Sequence, residues 1–229
     1  METTRAGVPM DEHEHRHGSS APRLPAWVGD DDPDRIETAS VRFGAERLHA
    51  IGGARTAWYV TDWELEVGDG WRTRALRVTA RGFGWSRTLD LERSSQGEWH
   101  AVAQQSGDVD LPGPGLADPS SIAGALDCDL GLCPLTNTMP IRRLGLLDAD
   151  VPETALVMAW VEVPSLRVIR SDQAYASASA STGGRRRVRF RSLDSDFAAD
   201  LEVDADGLVV DYPGIGRLAD IRRPRLGRS

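Results

Sequence analysis

Between Asp127 and Leu147 the chain gathers the groups best suited to hold another molecule. Asp127 and Asp129 are carboxylates two residues apart. Thr136, Asn137 and Thr138 offer two hydroxyls and an amide between Pro134 and Pro140, and Arg142 and Arg143 follow. Carboxylates accept hydrogen bonds, an amide both donates and accepts, and guanidiniums present paired donors matched to carboxylate or phosphate. Two readings stand. In one, the acids pair with the arginines and only fix the segment. In the other, an arginine stands at a pocket mouth and grips a polar head group. A metal pair at Asp127 and Asp129 is a third idea, but two acids without a nearby histidine are too few ligands, so no metal is expected.

The tryptophans are the second source of chemistry. Trp58, Trp63, Trp71, Trp85, Trp99 and Trp160 fall on predicted strands or their turns. Large rings either fill a core or line an apolar cavity with a few polar groups at its rim. No Ser-His-Asp or Cys-His arrangement is visible, and His49 and His100 sit in strand patterns without an identifiable partner. An enzyme acting in the same cleft through Asp129, Asn137, Arg142, Tyr175 and Tyr212 is the alternative to a binder. It requires those groups within hydrogen-bond reach of a substrate.

These groups must be carried by strands. From Ile36 onward apolar residues recur with period two, the mark of half-buried strands. Ala39, Val41 and Phe43 alternate with polar neighbours, and Glu46 to Ile51 forms a second strand broken by Gly52-Gly53. A long strand from Trp58 to Val67 changes parity near Thr61-Asp62, which predicts a bulge. Leu76, Val78 and Ala80 share one face, as do Trp85, Leu89 and Leu91, then Trp99 and Ala101. After a Pro/Gly-rich loop at 111–125 and the polar stretch, strands resume at Thr154. They run through Tyr175, Val188, Phe190 and Leu201 to Tyr212. Ala176 to Gly184 reads as a small-residue loop. The count is about ten or eleven strands, joined by short turns into an antiparallel meander. The fold class is therefore mainly all-β, one curled antiparallel sheet forming an open or half barrel. A short helical or irregular connector occupies 134–147. Residues preceding proline favour extended backbone, so Cys133 and Met139 predict a stiff connector closing the open side.

Composition bounds the rest. The 229 residues carry a net charge of −8, which argues against a nucleic-acid-binding domain. No lysine is present, and Asn137 is the only asparagine. Cys128 and Cys133 imply no disulfide framework. Residues 1–35 read as a disordered polar tail, with His13, His15 and His17 solvated rather than metal-bound. Residues 36–216 form the half-barrel domain, and 217–229 an Arg-rich flexible tail. No secretory h-region and no apolar run near the ~20 residues of a membrane helix is seen, so a cytoplasmic protein is expected.

The run Asp127-x-Asp129-Leu130, Pro134-x-Thr136-Asn137-Thr138-Met139-Pro140-Ile141-Arg142-Arg143-Leu144 resembles the signature of a bacterial glycolipid-binding family, formerly a domain of unknown function. Tyr59 to Asp62, Trp71 to Arg74, Gln173-Ala174-Tyr175 and Asp206-Gly207-Leu208-Val209 with Tyr212-Pro213 match further segments. The resemblance spans Ile36 to Gly216. It implies a half barrel similar to lipoprotein carriers and a glycolipid label; with the residue reading this makes an amphipathic ligand, a lipid or glycolipid, in an apolar cleft with an Arg-lined mouth the leading expectation. The chain departs from the pattern in its 111–125 loop, at Met139 and at Cys133. The expected ligand-binding set is Asp129, Thr136, Asn137, Thr138, Arg142, Arg143, Gln173, Tyr175 and Tyr212, with Trp58, Trp63, Trp85, Trp99 and Trp160. No cofactor is expected. A third class of function, an interaction module or homodimer pairing exposed sheet edges, stays open.

Overall fold

Alternating segments leave rows of backbone donors and acceptors that must be paired, and here one continuous sheet pairs them. The computed structural model describes residues 21–178 and 185–219. The first strands are β1 (Ala26–Gly29), β2 (Ile36–Phe43), β3 (Leu48–Arg55), β4 (Val60–Gly68), β5 (Arg72–Gly82), β6 (Trp85–Arg93) and β7 (Trp99–Gly107). Two short ones, β8 (Gly115–Leu116) and β9 (Asp127–Leu130), precede the connector. Then come β10 (Thr154–Val161), β11 (Arg167–Ser177), β12 (Arg186–Ser192), β13 (Ala198–Val203), β14 (Val209–Tyr212) and β15 (Gly216–Leu218). Their order is β7-β6-β5-β4-β3-β2-β1-β15-β14-β13-β12-β11-β10-β9, with β8 also beside β11. The sheet is curled, does not close, and is antiparallel except where β9 meets β10 and β8 meets β11.

The fifteen strands exceed the expected ten or eleven because β1, β8, β9 and β15 are only two to four residues long, too short to show a period. β1 lies inside the stretch expected to be tail, and its Trp27 is fully buried and donates to the Val209 carbonyl at 2.7 Å. At the other end the sheet continues to Leu218. The histidine cluster at 13–17, most of the Arg-rich tail and residues 179–184 of the small-residue loop lie outside the described residues.

Two local expectations are corrected. β3 runs straight through Gly52-Gly53, because the Trp63 ring of β4 lies across Gly52 and occupies the space a side chain would need. Strand β4 has no bulge near Thr61. Thr61, Trp63, Leu65 and Val67 keep one inward parity, while Val60 faces outward and Trp58 sits exposed in the β3–β4 turn. The bulge occurs later, where Glu66 and Val67 oppose Ala75 and Thr73 and skip Arg74.

The connector is also different. Cys133 is extended, as a residue before proline should be, but Pro134–Asn137 is a 3-10 turn leading into the helix α1 (Thr138–Arg143). Met139 is helical in spite of Pro140, because its side chain and those of Leu135 and Ile141 are all fully buried and the gain in burial exceeds a local preference. Gly145 ends the helix with φ 71°. The segment fills the interior with Leu135, Met139 and Ile141, while Cys133 and Asn137 border a cleft.

This filling divides the core in two. One cluster joins the inner face of β2–β7 to Cys128, Leu130, Leu135, Met139, Ala159, Val161 and Val168. The other joins Ile141 and Leu146 to Tyr175, Val188, Phe190, Leu201 and Tyr212. Successive residues of β9–β11 point to opposite faces, so these strands serve the first cluster with one parity and face the second with the other. Among the described residues no helix is long and apolar enough to cross a membrane.

Candidate functional site

The second face of β9–β12 is where a cleft opens. Register pairs Asp129 with Trp160, Trp160 with Ile169, and Gln173 with Ser192, which sets Asp129, Trp160, Ile169, Ser171, Gln173, Ser192 and Phe190 on one surface. The cleft has a volume of about 760 Å³. Leu111, Pro112, Leu130, Val163, Phe197, Tyr212 and Ile215 complete its largely apolar wall.

Its floor is polar. The Asp129 carboxylate accepts from the Thr136 hydroxyl at 2.8 Å and from Gln173 Nε2 at 2.7 Å. The Tyr175 hydroxyl lies 2.9 Å from Asn137 Oδ1 and 3.2 Å from Gln173 Oε1, and its single proton serves one of them at a time. Asn137 Nδ2 donates to the Pro134 carbonyl at 3.3 Å. Asn137, Gln173 and Tyr175 are buried, while Asp129 is half-buried and faces the cleft. Burial holds the Asp129 carboxyl above its ordinary range, and the bonds from Gln173 and Thr136 pull the other way. Burial likewise raises the Tyr175 hydroxyl far above its usual range. The network leaves spare capacity: unused lone pairs on Asp129 and a second N–H on Asn137, while Gln173 Nε2 also reaches the Ser171 hydroxyl at 3.4 Å.

Of the expected site residues, Asp129, Asn137, Trp160, Gln173 and Tyr212 line the cleft. Thr136 and Tyr175 stand behind them, bonded to Asp129 and Asn137. Thr138 instead ties the start of α1 to the Gly207 carbonyl at 3.1 Å. Neither arginine faces the cleft. Arg142 stacks on the Trp71 ring, 4.8 Å from its centroid. Arg143 donates to Asp127 at 2.7 Å and to the Trp71 carbonyl at 3.1 Å. Asp127 and Arg143 thus fix the segment to the sheet, and neither arginine stands at the mouth of this cleft. Trp63 donates to buried Glu37, Trp99 to the Ala125 carbonyl, and Trp85 packs against the first core cluster. Trp58 is 84 % exposed. None of these four lines the cleft.

Sequence reasoning found Tyr212 but missed the other residues that shape the wall. Phe190, Phe197 and Tyr212 form an aromatic group with centroids 5.8–6.2 Å apart. Arg87 is 1 % exposed and donates to the Ser165 carbonyl at 2.8 Å, to Leu111 at 3.2 Å and to Pro112. Burial depresses its pKa, and no carboxylate answers its charge among those bonds. All three carbonyl residues line the cleft, so Arg87 clamps that wall. The signal was its parity: Arg87 shares the inward face of β6 with Leu89 and Leu91. Arg87→Ala leaves buried carbonyls without donors, and a loss of about 2–3 kcal/mol is expected in urea unfolding. Arg87→Lys should recover only part, since one ammonium cannot span the three carbonyls.

With this geometry in place, comparison with known proteins assigns the family. The model of the family described as "Putative glycolipid-binding" matches residues 26–217. The chain belongs to that family. A solved structure of a DUF1089 family protein from Pseudomonas aeruginosa, determined at 1.80 Å, is similar, with a TM-score of 0.56 and 27% sequence identity. The match covers 95% of this chain and 98% of that one. The comparison with curated proteins returns no match.

Proposed function

We propose that the cleft binds an amphipathic molecule with an uncharged, hydroxyl-rich head, as in a glycolipid. The observation that carries this reading is the polar floor of Asp129, Asn137 and Gln173 in a largely apolar cleft of about 760 Å³, within the ~300–1,000 Å³ usual for small-molecule sites. Sugar hydroxyls both donate and accept, which suits a carboxylate with spare lone pairs beside the Asn137 amide with its second N–H. An anionic head is disfavoured. The one cation among the lining residues, Arg170, is tied to Asp172 at 2.6 Å, and Asp129 would repel a phosphate. Alkyl chains suit the wall of Phe190, Phe197, Ile169 and Ile215. The family description points the same way.

Calorimetry with octyl glucoside below its micelle concentration tests the reading. Binding is expected, and an octyl sulfate control should bind more weakly. Asp129→Asn should weaken glucoside affinity by about tenfold, because charge-assisted hydrogen bonds are worth ~1.5–3 kcal/mol and the new amide opposes the Gln173 donor. Equal affinity for both detergents, or none for either, rejects the proposal.

A second reading, catalysis on the bound head group, draws on the raised Asp129 carboxyl in a cleft. Glycoside hydrolysis needs a second carboxyl group across the bond. The other acids on the wall are engaged: Glu162 by Arg167 at 2.6 Å, and Asp194 by the Asp172 amide at 2.7 Å. This favours binding over catalysis, and release of sugar from an aryl glycoside would reverse that preference.

A further inference from the structure

Strand directions define two ends of the sheet. β2 starts, β3 ends and β4 starts at one end, where Ile36 pairs with Arg55 and Arg55 with Val60. Following the register, the β5–β6 turn, the end of β7, the end of β9, the β10–β11 turn and the β12–β13 turn all fall at that same end. It is the end that carries the cleft, since Leu111, Leu132, Val163 and Ile215 follow directly from these strand ends. Buried Arg35 ties it together by donating to the Leu132 carbonyl at 2.8 Å and to Ile215.

Exposed apolar side chains are concentrated there. Among the described residues ten large apolar side chains are exposed, and seven lie at the cleft end. Ile36, Trp58 and Val60 sit around the β3–β4 turn, and Phe83 forms the tip of the β5–β6 turn. Leu132, Leu193 and Phe197 sit on the cleft side. Ile51 and Val102 are in mid-strand, and Leu24 lies level with them, beside Ser40 of β2. Trp58 is 84 % exposed and Phe83 is 103 % exposed, as bare as a side chain can be. Turn tips without structural need of an aromatic ring present two of them to solvent. The charges at this end are mainly negative: Asp31, Asp32 and Asp34 before β2, Asp108 and Asp110 after β7, Asp194 and Asp196 after β12, against exposed Arg55 and Arg81 beside the two tips, the latter paired with Asp62 at 2.7 Å.

We infer that the cleft end docks on a lipid surface of neutral net charge, with Trp58 and Phe83 inserted at the interface so that the cleft faces the membrane that supplies its ligand. The inference rests on the amphipathic ligand proposed above for the direction of transfer. The contact itself rests on the clustered apolar tips. Aromatic side chains settle at the head-group level of bilayers, and apolar insertion with acids outnumbering the basic residues around it does not need anionic lipid. The acids disfavour a negatively charged surface.

Flotation with phosphatidylcholine vesicles, and with the same vesicles carrying phosphatidylserine, tests the surface. The full chain should float with phosphatidylcholine and less with the anionic mixture. Trp58→Ser with Phe83→Ser should reduce flotation at least about tenfold while octyl glucoside affinity is unchanged, because neither residue lines the cleft. No flotation of the wild type, undiminished flotation of the double variant, or a dimer that the double variant dissolves would overturn the docking proposal. Octyl glucoside binding without flotation defeats docking and leaves the cleft reading standing. Flotation through the tips without glucoside binding defeats the cleft reading alone.

Discussion

Glu37→Gln is expected to make the protein more stable at about pH 8, by up to about 3 kcal/mol, and to flatten its stability between about pH 5 and pH 8. Glu37 lies on the inward parity of β2 with Ala39 and Val41 and is 3 % exposed. It accepts from Trp63 Nε1 at 2.8 Å and from the Cys133 thiol. Burial pushes its pKa from 4.5 up to about 7, against the pull of those hydrogen bonds and of Arg35. A carboxyl raised on folding contributes stability that is fully present below its unfolded value near 4.5 and is lost as pH rises through about 7. Glutamine keeps the acceptor for Trp63 and cannot ionise, so the loss disappears. Asp127, raised to about 6, titrates in a lower window and remains in the variant. Surface acids such as Asp200 and Glu162, lowered by Arg189 and Arg167, act in the opposite sense and matter only in acid. Urea unfolding across pH decides the matter. A variant with the wild-type slope and no gain at high pH would show that Glu37 is charged and satisfied in the fold.

Glu37 and Arg87 illustrate what the sequence could and could not convey. Period-two alternation located the long strands, because a strand with one face on a core must alternate. The same rule would have exposed both charges, each on the apolar parity of its strand, had parity been applied to polar residues as well. β1 and β9 were hidden for a different reason. Four residues are too few to show a period, and what holds Trp27 inside is the Val209 carbonyl, 182 positions away. The polar stretch was legible as chemistry but not as direction. Asp129, Asn137 and Gln173 reach the cleft, while Arg142 and Arg143 turn to Trp71 and Asp127. Helical residues at 142 and 143 point about 100° apart from their neighbours, and no spacing rule says which face meets a cleft that distant strands create. Of the five tryptophans in the expected set only Trp160 lines the cleft: composition cannot tell a ring in a core from one at a turn tip.

Arg143→Met is expected to cost about 3–5 kcal/mol near neutral pH, the penalty of stranding a buried charge. Asp127 is fully buried, and Arg143 Nη1 sits 2.7 Å from its Oδ1 and 2.6 Å from its Oδ2, with the arginine side chain only 13% exposed. Even with this partner, burial raises the Asp127 pKa to about 6. Without the guanidinium the carboxyl is raised further, so the variant's deficit should shrink as pH falls and Asp127 takes up a proton. The sign follows from linkage: stability tied to the protonated carboxyl is present below its unfolded value near 3.8 and is lost above the raised folded value. Asp127→Asn combined with Arg143→Met should recover most of the loss, since no charge is then left inside and similar volumes fill the site. Arg143 also holds the Trp71 carbonyl, and Trp71 has φ 57°, a conformation costly for a bulky residue. Some loss should therefore persist in the double variant. A double-mutant cycle reads the coupling directly. Additive losses, with no dependence on pH, would mean that the pair only fills space, and that α1 is held in the sheet by its buried apolar residues alone.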